Sequence, residues 1–288
     1  MAPVAIVTDS THYLPREIFA ANHLHEVSLY VHEGDVQHRE GDMQGDYGPF
    51  YERLRTAADL PTTSQPSIGD FLAVYEPLAR DGHDIVSVHI AGGISGTVES
   101  ARQAAQELMK EIPQRRVEVI DSGTGCGAMG YVALAGAAAV RAGKDVVGAA
   151  AQAQEAADNV RLWFAVDTLE YLRRGGRIGA AQAWLGGALK IKPILTLTKE
   201  ITPVERVRTS GRAFDRMVEY LRTQKENGSD GWIIQHIQAP DVAARIADAG
   251  REIFGTEPLF VNEIGPVIGT HVGPGLLGVG GGPRRLVA

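Results

Sequence analysis

The chain holds a single cysteine, Cys126, in 288 residues. One thiol excludes an internal disulfide and any metal site built from several cysteines. An excess of positive charge is also missing: 28 Lys and Arg stand against 35 Asp and Glu, a net of −7. That balance disfavours non-specific binding to a phosphate backbone, so no nucleic-acid partner is expected. No apolar run approaches the roughly 18 residues of a membrane span. The Ala-rich stretch 131–142 is too short and breaks at Arg141, so no stable membrane insertion is expected. The first residues, from Met1 to Asp9, lack a basic n-region and read as a strand rather than a signal peptide, giving the cytoplasm as the expected location. Neither G-x-x-x-x-G-K-[ST] nor H-E-x-x-H occurs, which excludes a P-loop and leaves no expectation of a metal or other cofactor.

What is present is an ordinary globular balance, 44% hydrophobic and 22% charged, with ample material for a core. The length suggests two domains. Three segments of the first half share one plan: an apolar β-branched run, a small polar turn, then a helical pattern. Val4–Val7 leads into Thr8-Asp9-Ser10-Thr11, Ile85–Ile90 into Ala91-Gly92-Gly93-Ile94-Ser95-Gly96-Thr97, and Val117–Ile120 into Asp121-Ser122-Gly123. Such alternation predicts a parallel sheet whose polar turns gather at one edge, where ligands usually bind. A helix over 145–158 closes a first α/β domain, 1–158. A second, α+β domain, 159–288, is predicted from strands at 161–166, 192–197, 201–207, 232–237, 257–263 and 275–280. Its predicted helices lie at 168–174, 212–226 and 240–254, with a nearly uncharged one at Ala180–Leu189 that should be buried or line a cavity.

Several motifs have both a functional and a plain reading. Gly125-Cys126-Gly127-Ala128-Met129-Gly130 fits G-x-G-x-x-G, but no second strand ending in an acidic residue follows about 20 residues on; glycines easing a tight turn explain it better. Gly93-Ile94-Ser95-Gly96-Thr97 falls one residue short of a nucleophile elbow, with Thr97 where the second glycine belongs. Ser95 can cap a helix, help hold an anion at a helix N-terminus, or act as a nucleophile with His271 as base. Pro61-Thr62-Thr63-Ser64-Gln65-Pro66-Ser67 is predicted to be a rigid polar loop, with Ser67 capping a helix from Gly69 to Leu78. His271 lies among small residues near a strand, which would leave its ring accessible. Arg173, Arg174, Arg177, Lys190, Lys192, Arg206 and Arg208 make the second half locally basic: solvated charge, or a docking face for an acidic partner.

Taken together, V-T-D-S-T at 7–11, T-S-Q-P-S at 63–67, I-S-G-T at 94–97, V-I-D-S at 119–122, L-R-R-G-G-R-I at 172–178, L-K-I-K-P-I-L at 189–195, V-R-T at 207–209 and G-T-H-V-G-P-G at 269–275 resemble the DegV family. These are fatty-acid-binding proteins that include the lipid-binding subunits of bacterial fatty acid kinase. The resemblance spans nearly the whole chain. It implies two α/β domains with a lipid tunnel between them. It also implies a carboxylate held by the hydroxyls of Thr63 and Ser95, with the Gly96 N–H as a further donor and His271 and Arg177 beside them. Arg208 corresponds to a surface position that meets the kinase subunit. Relatives often carry two serines where this chain has Ala91-Gly92, and the stretch His32–Gly45 matches poorly, with no role assigned to it.

The expected function follows from the resemblance. The chain binds a long-chain fatty acid, about C14–C20, and presents its carboxylate to a separate ATP-dependent fatty acid kinase subunit, itself performing no bond chemistry. Two hydroxyls, one backbone N–H and a partly charged His271 would offset the cost of burying the carboxylate. The alternative is a serine esterase using Ser95 and His271.

Overall fold

Apolar β-branched runs bounded by small polar turns become strands here because each can bury both faces between layers of helices. In the computed structural model, which describes residues 2–43, 45–185 and 191–288, the first half runs β1 (Val4–Asp9), α1 (Arg16–Ala21), β2 (Leu24–Val27), β3 (Tyr30–Glu33), β4 (Val36–Arg39), α2 (Gly48–Thr56), β5 (Thr62–Ser64), α3 (Ile68–Arg80), β6 (Asp84–His89), α4 (Thr97–Glu111), β7 (Val117–Asp121), α5 (Cys126–Arg141) and α6 (Val146–Asn159). The second half runs β8 (Arg161–Ala165), α7 (Glu170–Arg174), β9 (Lys192–Thr198), β10 (Glu200–Val207), α8 (Ser210–Glu226), β11 (Gly231–His236), α9 (Pro240–Phe254), β12 (Phe260–Glu263), α10 (Pro266–Val272) and β13 (Leu277–Gly282). Short 3-10 turns occupy Ser10–His12, Glu40–Met43, Gly179–Trp184 and Arg284–Leu286.

The predicted parallel sheet is present, in the order β2-β1-β6-β7, with every pair parallel. The second half forms a six-stranded sheet, β10-β9-β8-β13-β11-β12, antiparallel except where β11 meets β12. This is the mixed α/β architecture expected. Between the two sheets lies α5, buried at every residue from Cys126 to Ala139, touching β1 and β6 on one side and β11 and β13 on the other. Its Ala and Gly residues are what permit such close approach. One continuous apolar core therefore runs from Ile6 and Val86 through Met129 to Phe164 and Ile233.

Several local expectations need correction. The 61–67 segment is not wholly loop: Thr62–Ser64 pairs with β3 as an antiparallel edge, with Val31 opposite Thr63. Ser67 does cap the next helix, through a reciprocal bond with Asp70. The stretch 32–45 supplies parts of a three-stranded sheet, β4-β3-β5, and the turn carrying Glu40. His271 sits in a short helix, α10, and meets Thr63 of strand β5. In place of the apolar helix expected at Ala180–Leu189 there is a 3-10 turn, Gly179–Trp184, where only Ala181 is buried. The rest of that expectation, with Lys190 and the start of the 189–195 motif, falls outside the described residues. Among those residues, no helix is long and apolar enough to cross a membrane.

Candidate functional site

The polar turns of the parallel sheet meet because β1, β6 and β7 all end at one edge. Asp9 joins the first two: its carboxylate accepts the Ile90 N–H at 3.0 Å and lies 3.1 Å from His89 Nδ1. Burial alone would raise the Asp9 carboxyl; His89, Thr11 and the Ile90 N–H outweigh it and hold the group below the usual range. His89 Nε2 in turn lies 2.6 Å from Ser87 Oγ, which receives the Tyr75 hydroxyl at 2.7 Å. This Asp–His–Ser chain is closed to solvent and takes no part in lining the cavity described next. It is a strut that ties β1 to β6.

Beside that edge is a cavity of about 360 Å³ between the two halves of the chain. Most of its wall is apolar, including Leu29, Ile90 and Ile94 from the first half and Leu162, Phe164 and Leu276 from the second. Thr63, Ser95, Gly96, Arg177 and His271 all line it. Arg208 does not; it is exposed, just beyond β10. Among the described residues, no Asp or Glu contributes to the lining.

Contacts around the polar rim form a closed circuit. Thr63 Oγ1 and His271 Nε2 are 2.7 Å apart. A Cβ at Gly175 would overlap the His271 ring at Nδ1, so the first glycine of G-G-R-I is the seat of the imidazole. Arg177 donates to the Gly175 carbonyl at 2.8 Å and to the Ile94 carbonyl at 3.5 Å, bridging the second half to the S-G-T turn. Gln65 packs on Gly96, where a Cβ would overlap its amide, and donates to Ser100 Oγ at 3.0 Å, which ties T-S-Q-P to α4.

His271 Nδ1 is buried and has no hydrogen-bond partner among the described residues. An imidazole N–H stranded there would cost more than an unfilled lone pair, so the proton belongs on Nε2 and is donated to Thr63. The Thr63 hydroxyl then keeps its own hydrogen for the cavity. Ser95 Oγ accepts the Thr97 N–H at 3.3 Å and lies 2.8 Å from Thr97 Oγ1. With Thr97 as donor, Ser95 also keeps its O–H for a ligand. Helix capping, the plain reading of Ser95, is not what is found: Gly96 is the N-cap of α4 and no side chain caps it, while among the described residues Ser95 makes only this local turn bond, which is compatible with anion binding. No intramolecular acceptor for the Gly96 N–H is found among the described residues.

Burial, reinforced by the Arg177 charge, pulls the His271 imidazole down to about 4. The expected partial charge on His271 is thus corrected: at neutral pH it is an uncharged donor. Ser95 makes no hydrogen bond to His271, and among the described residues no carboxylate orients His271, so the parts of an esterase triad are not assembled there. Among the described residues, no group of three His, Cys, Asp or Glu side chains is placed to hold a metal. The G-x-G-x-x-G glycines serve packing: Gly127 abuts Phe260, Gln235 and Asn262, and Gly130 abuts Leu14. Much of the basic patch is committed elsewhere: Arg173 to Glu170, Lys192 to Asp167, and Arg206 over the Trp184 ring at 5.3 Å.

Sequence reasoning missed Ser64, Gln65 and Gln235 in the lining, and His32, whose Nε2 is 2.9 Å from Ser64 Oγ. The T-S-Q-P motif held the signal for the first two. Nothing local marked Gln235 or His32.

The chain is similar to known proteins over nearly its whole length. A model of the DegV family, described as uncharacterised proteins, matches residues 3–283. A DegV domain-containing protein of Streptomyces coelicolor is 41% identical over 279 residues, 96% of this chain and 97% of that one. The structure of a fatty-acid-binding DegV family protein from Thermus thermophilus superposes with a TM-score of 0.87 at 31% identity, over 98% of this chain and 100% of the other. That of DegV from Bacillus subtilis, a fatty acid binding protein, gives 0.85 at 35% identity, over 97% and 99%.

Proposed function

Because this chain belongs to the DegV family, we propose that it binds a long-chain fatty acid and presents the carboxylate to a separate ATP-dependent kinase subunit, which phosphorylates it to an acyl phosphate. The observation that supports this best is the make-up of the cavity lining: hydrogen-bond donors at Thr63, Ser95, Gly96, Arg177 and His271, a remainder that is mostly apolar apart from Ser64, Gln65 and Gln235, and no acidic side chain among the lining residues described. A carboxylate only accepts hydrogen bonds, and such a rim only needs an acceptor. Thr63 and Ser95 would each give an O–H, Gly96 its N–H, and Arg177 a nearby positive charge, while neutral His271 orients Thr63. Residues 1–158 would supply the hydroxyls and 159–288 the arginine, the histidine and much of the tail-facing wall.

The acyl chain would contribute about 0.8 kcal/mol per buried CH₂, an upper bound before the cost of ordering it. A cavity of this size falls in the usual range for small-molecule sites, about 300–1,000 Å³. Holding the head at the rim leaves it open to a second protein, and exposed Arg208 would help to dock that partner. The carrier needs no nucleophile of its own.

The test is reconstitution: delipidated protein incubated with labelled palmitate or oleate, then with ATP and the kinase subunit. Uptake followed by acyl phosphate formation that depends on this chain is expected. Labelling of Ser95 by a fluorophosphonate would instead favour the esterase.

A further inference from the structure

Glu40 lies in the stretch to which the sequence assigns no role, yet it is 1% exposed, and its carboxylate is held on both oxygens. Ser10 donates to Oε2 at 2.6 Å, and Tyr13 donates to Oε1 at 2.7 Å. The third donor is the Val267 N–H, at 2.7 Å from Oε1 and 227 residues away in sequence. The Tyr13 hydroxyl meanwhile accepts the Ile268 N–H at 3.2 Å. Those two amides belong to the first turn of α10, where helices leave N–H groups unsatisfied, and the residue before them, Pro266, has none to satisfy. The Tyr51 hydroxyl secures the approach to the helix by donating to the Ile264 carbonyl at 2.6 Å.

His271 stands four residues after Val267, one turn further along the same face. Helix α10 is seven residues long, too short to hold itself in place. Its first-turn amides are tied through Glu40 and Tyr13, and near its other end His271 meets Thr63. Glu40 itself does not line the cavity, whereas Val267, Ile268, His271 and Val272 do.

We propose that Glu40 is a positioning residue of the ligand site, fixing the start of α10 from outside the cavity so that His271 is delivered to Thr63. The inference deepens the fatty-acid reading and rests on it for the role of His271, but the positioning can be measured without any ligand. Gln at position 40 can keep the two contacts that hold α10: its Oε1 accepts from Tyr13 and Val267, while its Nε2 faces Ser10 with the direction of that bond reversed. Alanine cannot, and it strands a buried N–H and two hydroxyls.

The test compares wild type, Glu40→Gln and Glu40→Ala by NMR of the His271 imidazole during acid titration, alongside binding of labelled palmitate. In wild type and Glu40→Gln the ring should stay uncharged down to pH 5.5 at least, held down by burial with Arg177 as the facing charge. In Glu40→Ala it should loosen and protonate in the ordinary histidine range, with palmitate binding at least tenfold weaker. A folded Glu40→Ala protein with an unchanged His271 titration overturns the proposal. If that variant does not fold, Tyr13→Phe removes only the hydroxyl between Glu40 and Ile268; a smaller shift in the same direction supports positioning, and none overturns it. Wild type that binds no palmitate contradicts the fatty-acid reading alone, because the titration is read in its absence.

Discussion

Thr63 and His271, 208 residues apart in sequence, meet at 2.7 Å between Oγ1 and Nε2. The contact couples a strand edge of the first half to a short helix of the second, at the rim of a cavity both halves line. It also fixes the direction of the Thr63 hydroxyl.

Removing that hydroxyl should therefore do two things at once. Thr63→Val deletes a donor to the ligand and strands the His271 N–H, whereas Ser95→Ala deletes a donor and a long turn bond. A hydrogen bond to a charged group is worth about 1.5–3 kcal/mol, so each variant should weaken fatty-acid binding by about 10- to 100-fold, with Thr63→Val the worse. Thr63→Ser should retain most of the affinity. Isothermal titration or displacement of a fluorescent fatty acid measures this, with melting curves to show that Ser95→Ala stays folded.

Gly175 is predicted to tolerate no side chain. Its backbone is ordinary, φ −76°, so alanine is not excluded by conformation; the added methyl would instead push into the His271 ring. Gly175→Ala should cost about 1–3 kcal/mol of stability and displace the imidazole. The checks are a lowered melting temperature and a loss of fatty-acid binding larger than that of Gly176→Ala. Gly176 has open space for a Cβ but a positive φ of 70°, so its substitution costs strain without touching His271.

Two buried groups should give opposite pH dependences. Burial pushes Glu40 up from 4.5 to about 7, even though Ser10, Val267 and Tyr13 oppose it and Glu26 adds a like charge. The folded state therefore holds a proton that the unfolded chain releases above 4.5, and this stabilising contribution fades as pH rises to about 7. His271 runs the other way: lowered from 6.5 to about 4, it contributes fully above 6.5 and loses its contribution as pH falls toward 4. Tyr13, Tyr47, Tyr51 and Cys126, which feel the Glu40 charge, are all raised by burial and neutral in this window. Melting temperatures at pH 5 and 7.5 should show Glu40→Gln gaining on wild type as pH rises and His271→Ala gaining as pH falls. Parallel profiles would contradict both assignments.

The parallel sheet was legible because β1, β6 and β7 are apolar runs ended by small polar residues, a pattern that local chemistry alone enforces. The S-G-T turn was legible for the same reason. Strand β5 was not: three residues carry no period, and only pairing with β3 makes Thr62–Ser64 extended. Helix α10 was not predicted, because Gly269 and Gly273 weaken its local signal and its stabilising partners, Glu40 and Tyr13, lie more than 200 residues away. The charge on His271 was misjudged because it depends on burial, which one sequence does not display. Thr63, Ser95, Gly96, Arg177 and His271 could be named from the family resemblance and do share one cavity. The residue that holds His271's helix could not be named, because an acidic residue in a polar stretch looks like surface.

The central claim, that the cavity holds a fatty acid by its carboxylate, is tested most directly by native mass spectrometry of the purified protein followed by lipid extraction. The account predicts one long-chain fatty acid per chain, of about C14–C20, lost or much reduced in a Thr63→Val, Ser95→Ala double variant. Protein that carries no lipid and fails to take up palmitate or oleate, or a double variant that retains the wild-type complement, would contradict it.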